Sequence, residues 1–183
     1  NPDQVSRELL RLQSEGVVSQ AAADYAVYPS PLTVVGKATG GLRVCVNMRN
    51  MNQRMLRTHF KMEGLLNVRD LITPGAWMTS LDIRDAYMHV PIAQQDRKFI
   101  STVWKETQWV WNALPFGLAD APRAFTKLLR APISALRRQG IILVAYIDDI
   151  LIIGESESST RRDTDTAYEC LASLGFRINT EKS

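Results

Sequence analysis

Cysteine is nearly absent from this chain. Cys45 and Cys170 are the only two in 183 residues, far apart and without the Cys/His spacing that holds zinc. A zinc-built domain is thereby excluded, and a reducing setting inside the cell, cytoplasm or nucleus, is expected. A membrane-spanning run is missing too. The aliphatic stretch from residue 141 to 153 is too short for a bilayer, which needs about 20 apolar residues. No membrane partner is therefore expected, and no signal pattern, repeat or low-complexity tract is visible. A large excess of one sign of charge is also lacking. The net charge is +3 and the isoelectric point about 9.0, which permits an anionic partner without demanding one. What the chain does have is apolar residues, 45% of the total, enough for the core of one domain or a large part of one. It stops in charged sequence at Glu181-Lys182-Ser183 with no closing element, and so reads as a fragment.

The same aliphatic stretch carries two adjacent carboxylates, Asp148 and Asp149, in its middle. Burying an isolated carboxylate is costly, and the group would protonate instead. Either a tight exposed turn or a bound cation must reward the pair. The β-branched residues on both sides predict two strands with the acids at their junction. On this stretch alone, a plain hairpin with a polar tip and a functional site both remain open.

Elsewhere the pattern alternates between helices and hairpins. Asn1-Pro2-Asp3 is a helix start, Val5, Leu9 and Leu12 keep the helical period, and Gly16 ends it. Residues 25–31 read as extended. Residues 32–35 and 42–46 predict strands joined by Gly36-Lys37-Ala38-Thr39-Gly40-Gly41. Lys37 and Arg43, in and after that turn, are candidates to grip phosphates. Residues 47–57 give no clear element, and 65–72 predict a short helix stopped by Thr73-Pro74-Gly75. Residues 77–81 read as a buried strand leading into Asp82, with Asp85-Ala86-Tyr87 in the turn beyond.

Residues 99–104 and 108–111 predict a second hairpin around Lys105-Glu106-Thr107. Leu114-Pro115-Phe116-Gly117-Leu118 is a loop with an exposed-looking aromatic. Asp120-Ala121-Pro122 caps a helix carrying Phe125, Leu128, Leu129, Ile133 and Leu136, kinked at Pro132 and closed by Gly140. Ser158 or Ser159 starts a last helix that buries Tyr168, Leu171 and Leu174, ends at Gly175 and leads to a strand over 176–179. Strand pairs mixed with helices predict an α+β fold, an antiparallel sheet with helices packed on one face and the other face free.

Asp82, Asp148 and Asp149 all fall at strand ends. Neighbouring strands would bring them within a few ångströms, where carboxylates repel unless cations neutralise them. Hard oxygen ligands favour Mg²⁺. Two such ions about 3.5–4 Å apart are the device for in-line nucleotidyl transfer. With Lys37 and Arg43 for a triphosphate, the set predicts a nucleotide-transfer site.

Ser80-Leu81-Asp82-Ile83-Arg84-Asp85-Ala86-Tyr87, then Leu114-Pro115-Phe116-Gly117-Leu118 with Ala121-Pro122 and Phe125, then Tyr146-Ile147-Asp148-Asp149, then Leu174-Gly175-Phe176 with Lys182 form an ordered series. That series resembles the motifs of a reverse transcriptase. Upstream, Leu42-Arg43-Val44-Cys45-Val46-Asn47-Met48-Arg49-Asn50-Met51-Asn52 resembles the family's fingers segment. The likeness runs from about residue 25 to 182, and a lone Tyr-x-Asp-Asp is far less specific than four motifs in register. The Leu-Pro-Phe-Gly-Leu wording is most similar to the DIRS-like retroelements that integrate by a tyrosine recombinase, with LTR retroelements next.

The resemblance implies a right-hand polymerase, with fingers at 20–72 and 91–118 and palm at 73–90 and 119–183. It implies that Asp82, Asp148 and Asp149 hold two Mg²⁺ ions, or Mn²⁺, with the Ile83 carbonyl as a further ligand. Lys37, Arg43 and backbone N–H groups around Asp85 and Ala86 would hold the incoming deoxynucleoside triphosphate. Tyr87 would be the steric gate against a 2′-hydroxyl, Phe116 would line the nucleotide pocket, and Lys182 would be the general acid. An RNA or DNA template with its primer would be the partner. The thumb, RNase H and a recombinase or integrase would belong to the rest of the polyprotein.

Two departures stand out. Phe116 replaces the glutamine usual in retroviral enzymes, and Asn47 replaces a common aspartate. Competing readings are a repurposed nucleic-acid-binding module, which the intact acidic triad argues against, and a polymerase copying RNA into RNA, which Tyr87 disfavours.

Overall fold

Where apolar residues recur every three or four positions the chain coils, and where they are β-branched it extends. The computed structural model describes residues 2–22, 24–26, 28–36, 42–56 and 58–183, and for residues 65–67 the backbone alone. Two compact units share the chain, Asn1–Thr58 with Tyr87–Ala121, and His59–Ala86 with Pro122–Ser183.

In the first unit, helix α1 (Pro2–Ser14) buries Val5, Leu9 and Leu12, and Gly16 follows it with φ +73°. The expected cap, Asn1, lies outside the described residues. Strand β1 (Val18–Ala21) has no counterpart in the sequence reading. Polar Ser19 and Gln20 hide it, and it becomes a strand by pairing antiparallel with a later segment, Val18 opposite Trp111. Strands β2 (Leu32–Gly36) and β3 (Leu42–Val46) form a separate antiparallel pair. The glycine-rich turn between them, with Lys37, lies outside the described residues. A short helix, α2 (Arg49–Asn52), follows.

The expected second hairpin is β5 (Ser101–Trp104) and β6 (Thr107–Trp111), and β6 is the centre of a three-stranded sheet ordered β1-β6-β5. Its turn residues Lys105 and Glu106 both have positive φ, 47° and 65°, the type I′ pattern that asparagine and glycine usually supply. Leu9, Leu12, Met48 and Trp111 sit within a buried cluster at the heart of this unit.

The second unit carries α3 (Leu65–Leu71), β4 (Trp77–Asp82), β7 (Ile142–Tyr146), β8 (Asp149–Gly154) and α5 (Glu157–Ser173). Helix α4 (Ala121–Arg138) runs through Pro132 without a break and buries Phe125, Leu129, Ile133 and Leu136. The sheet order is β4-β8-β7, antiparallel throughout. Leu81, Ile150, Ile152 and Leu143 share one buried face of this sheet. Helix α5 packs on β8 and β4, and a Cβ on Gly154 would overlap the Thr160 hydroxyl of that helix.

Four local expectations are corrected. β4 is not a buried strand. It is a sheet edge, with Trp77 and Met78 each 49% exposed and Leu81 buried. The cap of α5 is Ser156, which forms a reciprocal capping box with Ser159 and so begins the helix a half-turn earlier than Ser158 or Ser159 would. Helix α5 buries Thr160, Ala167 and Leu171, while Tyr168 and Leu174 stay exposed. The last strand shrinks to a single antiparallel bridge, Ile83 with Ile178.

Candidate active site

The acids gather at one end of the second unit's sheet. β4 ends on Asp82 and β8 begins on Asp149, and the two are cross-strand partners. Directly opposed side chains have their Cβ atoms about 4.5–5.5 Å apart, so two carboxylates there repel. Asp82 takes Lys182 as counter-ion, Nζ to Oδ2 at 3.5 Å. The returning chain fixes this end further. The Asp82 carbonyl accepts from Asn179 N–H (2.8 Å) and Arg84 N–H donates to the Arg177 carbonyl (2.8 Å). The Ser183 hydroxyl accepts from Asp82 N–H at 3.1 Å.

Asp148 lies in the two-residue turn between β7 and β8. Its carbonyl accepts from the buried Ile83 N–H at 2.8 Å, so the turn is stitched to the end of β4. Ile147, the first turn residue, has φ +55°. Positive φ at the first central position and not the second is the type II′ pattern, where glycine is usual. A β-branched residue there is strained by about 1–3 kcal/mol.

Among the described residues, no three Asp, Glu, His or Cys side chains converge into a ready cation cage. The structure brings Asp82 and Asp149 face to face and joins Asp148 through its backbone. The donors are all hard carboxylate oxygens at an open strand end, with Asp149 exposed and Asp148 half-buried. That donor set fits a Mg²⁺-type ion and not a soft metal.

Asp85 closes the turn after β4 with φ +51°. Its carboxylate, with a side chain only 6% exposed, lies 3.7 Å from Arg84 Nε. Ala86 beside it is buried.

In the first unit, the expected residues Arg43, Phe116 and Tyr87 lie in contact, while Lys37 lies outside the described residues. The Arg43 guanidinium lies over the Phe116 ring, 4.7 Å from its centroid. The Phe116 and Tyr87 rings are 4.9 Å apart and tilted by 51°. Phe116 is therefore half-buried, not exposed as the loop sequence suggested. Arg43 Nε is buried with no hydrogen-bond partner among the described residues. Burial pushes the nearby Cys45 thiol up, and the Arg43 charge offsets part of that.

The loop that presents Phe116 is held from two sides. Val46 N–H donates to the Phe116 carbonyl at 2.8 Å. Asn52 spans the loop, donating to the Gly117 carbonyl and accepting from Ala119 N–H, both at 2.9 Å. Gly117 has φ +114°, and a Cβ there would overlap the Val46 carbonyl oxygen.

One charged pair near the acidic hairpin escaped the sequence reading. Glu63 Oε2 accepts from Arg137 at 2.7 Å and from Ala145 N–H at 3.0 Å. Burial pushes the Glu63 carboxyl up, but the Arg137 hydrogen bond, the Ala145 amide and the Arg137 charge outweigh it and hold it below the ordinary range. A single acid in a segment without periodicity gives no sequence signal, and its partner lies 74 residues away.

The fold matches solved reverse transcriptases. A prototype foamy virus protease–reverse transcriptase superposes with a TM-score of 0.80 at 20% identity, over 97% of this chain and 24% of that one. A foamy viral protease–reverse transcriptase in complex with double-stranded DNA gives 0.79 at 22%, over 92% and 28%. The chain belongs to the reverse transcriptase (RNA-dependent DNA polymerase) family, whose pattern matches residues 35–183. It is 27% identical over 188 residues to the retrovirus-related Pol polyprotein from transposon gypsy of Drosophila melanogaster, covering 99% of this chain and 18% of the polyprotein. It is 25% identical over 169 residues to the Gag-Pol polyprotein of avian reticuloendotheliosis virus, covering 87% and 15%. The chain thus spans less than a fifth of the length of these curated relatives.

Proposed function

We propose that this chain is a polymerase core that adds deoxynucleotides to a primer on an RNA or DNA template. It works within a longer retroelement polyprotein carrying a thumb, RNase H and a recombinase or integrase. Residues 73–90 and 119–183 are read as the palm, and 20–72 and 91–118 as the fingers. The observation that carries the reading is the cross-strand opposition of Asp82 and Asp149 at the end of a family-matched sheet. Opposed carboxylates are a liability unless they hold cations.

Asp82, Asp148 and Asp149, with the Ile83 carbonyl, are the groups that would hold two Mg²⁺ ions, or Mn²⁺ in their place. When bound, such ions supply Lewis-acid stabilisation of the attacking and leaving oxygens. Lys37 and Arg43 grip the phosphates, Arg43 through the guanidinium that lies over the Phe116 ring. The backbone around Asp85 and Ala86 adds N–H groups. Phe116 forms the wall of the nucleotide pocket, and the Tyr87 ring stacked on it occupies the space of a 2′-hydroxyl. Lys182, already beside Asp82, hands its proton to the departing pyrophosphate.

Within the family, the Leu114-Pro115-Phe116-Gly117-Leu118 wording supports a DIRS-like origin. A tyrosine recombinase in the parent element supports that placement, and another type of integrating enzyme removes it.

The central test is primer extension on an RNA template by the full parent polypeptide. Asp148→Asn is expected to cut Mg²⁺-dependent extension at least about a hundredfold, with an unchanged circular dichroism spectrum. Retained extension would take Asp148 out of the metal site.

A further inference from the structure

β7 is the outer strand of the second unit's sheet, and it carries the chain into the acidic turn. An edge strand leaves a row of backbone groups without a strand partner, which leaves it free to shift or to pair with another chain. A groove lined by Glu63, Asp70, Leu71, Arg137, Ile142 and Val144 runs along it. Two backbone groups on this edge are nonetheless occupied. The Leu143 carbonyl accepts from Arg137 Nη2 at 2.9 Å and, more weakly, from Nε at 3.3 Å. Ala145 N–H donates to Glu63 Oε2 at 3.0 Å. The same Nη2 and Oε2 atoms meet at 2.7 Å, so cation, anion and two strand groups close one ring.

The two side chains reproduce what a neighbouring strand offers, one donor to a carbonyl and one acceptor for an amide, at residues two apart. They come from different places. Arg137 is in the last turn of α4, and Glu63 is in the connection before α3. Ala145 is next to Tyr146, which is the cross-strand partner of Asp149. The bonded amide is therefore three residues before Asp148. The turn itself holds a strained Ile147, and strained backbone persists only where its surroundings over-determine it. β8 is held from one side by β4. On the outer edge of β7, the Glu63–Arg137 ring supplies the side-chain hydrogen bonds to the strand among the described residues, beside the packing of α3.

We propose that Glu63 and Arg137 form a strap that positions the acidic hairpin, so that Glu63 is a positioning residue for nucleotidyl transfer that touches no substrate. The strap is a claim about the hairpin, and its catalytic consequence rests on the polymerase reading above. Removing the Glu63 carboxylate frees the Ala145 amide and leaves Arg137 without its anion. β7 then shifts, and Asp148 and Asp149 lose their registration with Asp82. A glutamine at position 63 keeps a carbonyl oxygen in the same place and retains the strap without its charge.

The test compares the full chain with Glu63→Ala and Glu63→Gln, following amide hydrogen exchange residue by residue and Mn²⁺ broadening of the same amides. In Glu63→Ala the amides of Ala145, Ile147, Asp148 and Asp149 are expected to exchange about tenfold faster or more. The Leu171 amide in α5 should hold its rate, and Glu63→Gln should return the turn to near the parent. Mn²⁺ affinity and kcat for primer extension by the full parent polypeptide should each fall about tenfold in Glu63→Ala, with KM for the deoxynucleotide nearly unchanged. Turn amides that keep the parent rate overturn the strap. A uniform acceleration that includes Leu171 also overturns it, because that is general destabilisation. Should Glu63→Ala not fold, Glu63→Met, which removes the acceptor of the Ala145 amide but keeps the bulk of the side chain, is read by the same amides, with the same outcomes. If the parent itself neither binds Mn²⁺ nor extends a primer, the polymerase reading fails, while the exchange pattern still decides the strap.

Discussion

At the scale of single residues, the Arg43, Phe116 and Tyr87 contacts and the loop behind them carry separable roles. Tyr87 contacts Phe116 through one tilted ring pair at 4.9 Å. Such a pair contributes about 0.5–1.5 kcal/mol beyond its burial, so truncation should cost modest stability and mainly open space. Tyr87→Ala is expected to raise ribonucleotide over deoxynucleotide insertion by about tenfold or more, since discrimination by exclusion vanishes with the excluding group. Single-nucleotide insertion kinetics measure it, and unchanged sugar selectivity would dismiss the gate. Gly117 is different, because its role is in the backbone. With φ +114° and the Val46 carbonyl against the missing Cβ, Gly117→Ala must either move β3 or release the loop. A loss of about 2 kcal/mol or more is expected, read as a lower urea midpoint. An unchanged midpoint would mean that the loop relaxes at no cost.

At the scale of elements, what was legible depended on whether the signal was local. Val5, Leu9 and Leu12 marked α1, and the two β-branched runs marked β7 and β8, because period and propensity are properties of the segment itself. The opposition of Asp82 and Asp149 followed from both acids standing at strand ends. β1 was illegible, since Ser19 and Gln20 carry no alternation and its partner β6 is about ninety residues away. The hairpin at Lys105-Glu106 was legible from its flanking strands, although its turn lacks the glycine that its positive φ values would advertise. Tyr168 and Leu174 misled because they flank the covered face: Leu171 between them is buried with Ala167, while Tyr168 stands on its rim and Leu174 is the C-cap beyond the last helical residue. Glu63 was unreadable for the same reason as β1, as its partners come from elsewhere in the chain. The start of α5 offers a local check. Ser156 accepts from Ser159 N–H at 3.2 Å, while the Ser159 hydroxyl lies 3.1 Å from Ser156 N–H as its acceptor. Ser156→Ala is expected to cost about 1 kcal/mol and Ser158→Ala far less. Equal urea midpoints for the two variants would refute the capping assignment.

At the scale of the whole molecule, the chain passes between its two compact units at residues 58–59, 86–87 and 121–122. Neither unit is a continuous stretch. The sheet of the first unit needs β1 from the early part of the chain and β5 and β6 from the later part. The sheet of the second needs β4 from before the crossing at 86–87 and β7 and β8 from after it. Each sheet therefore closes only after a long excursion, and contacts of that separation add loop-closure entropy before they stabilise anything. A cut between Ala86 and Tyr87 removes strand partners from both units at once. Residues 1–86 keep β4 without β8, and residues 87–183 keep β6 without β1. Each fragment retains helices, so residual helical signal is compatible with lost tertiary order. Neither fragment is expected to show a cooperative thermal transition or dispersed amide resonances, whereas the full chain should show both. A cooperative melt from either fragment would mean that one unit holds its core without its crossing strand.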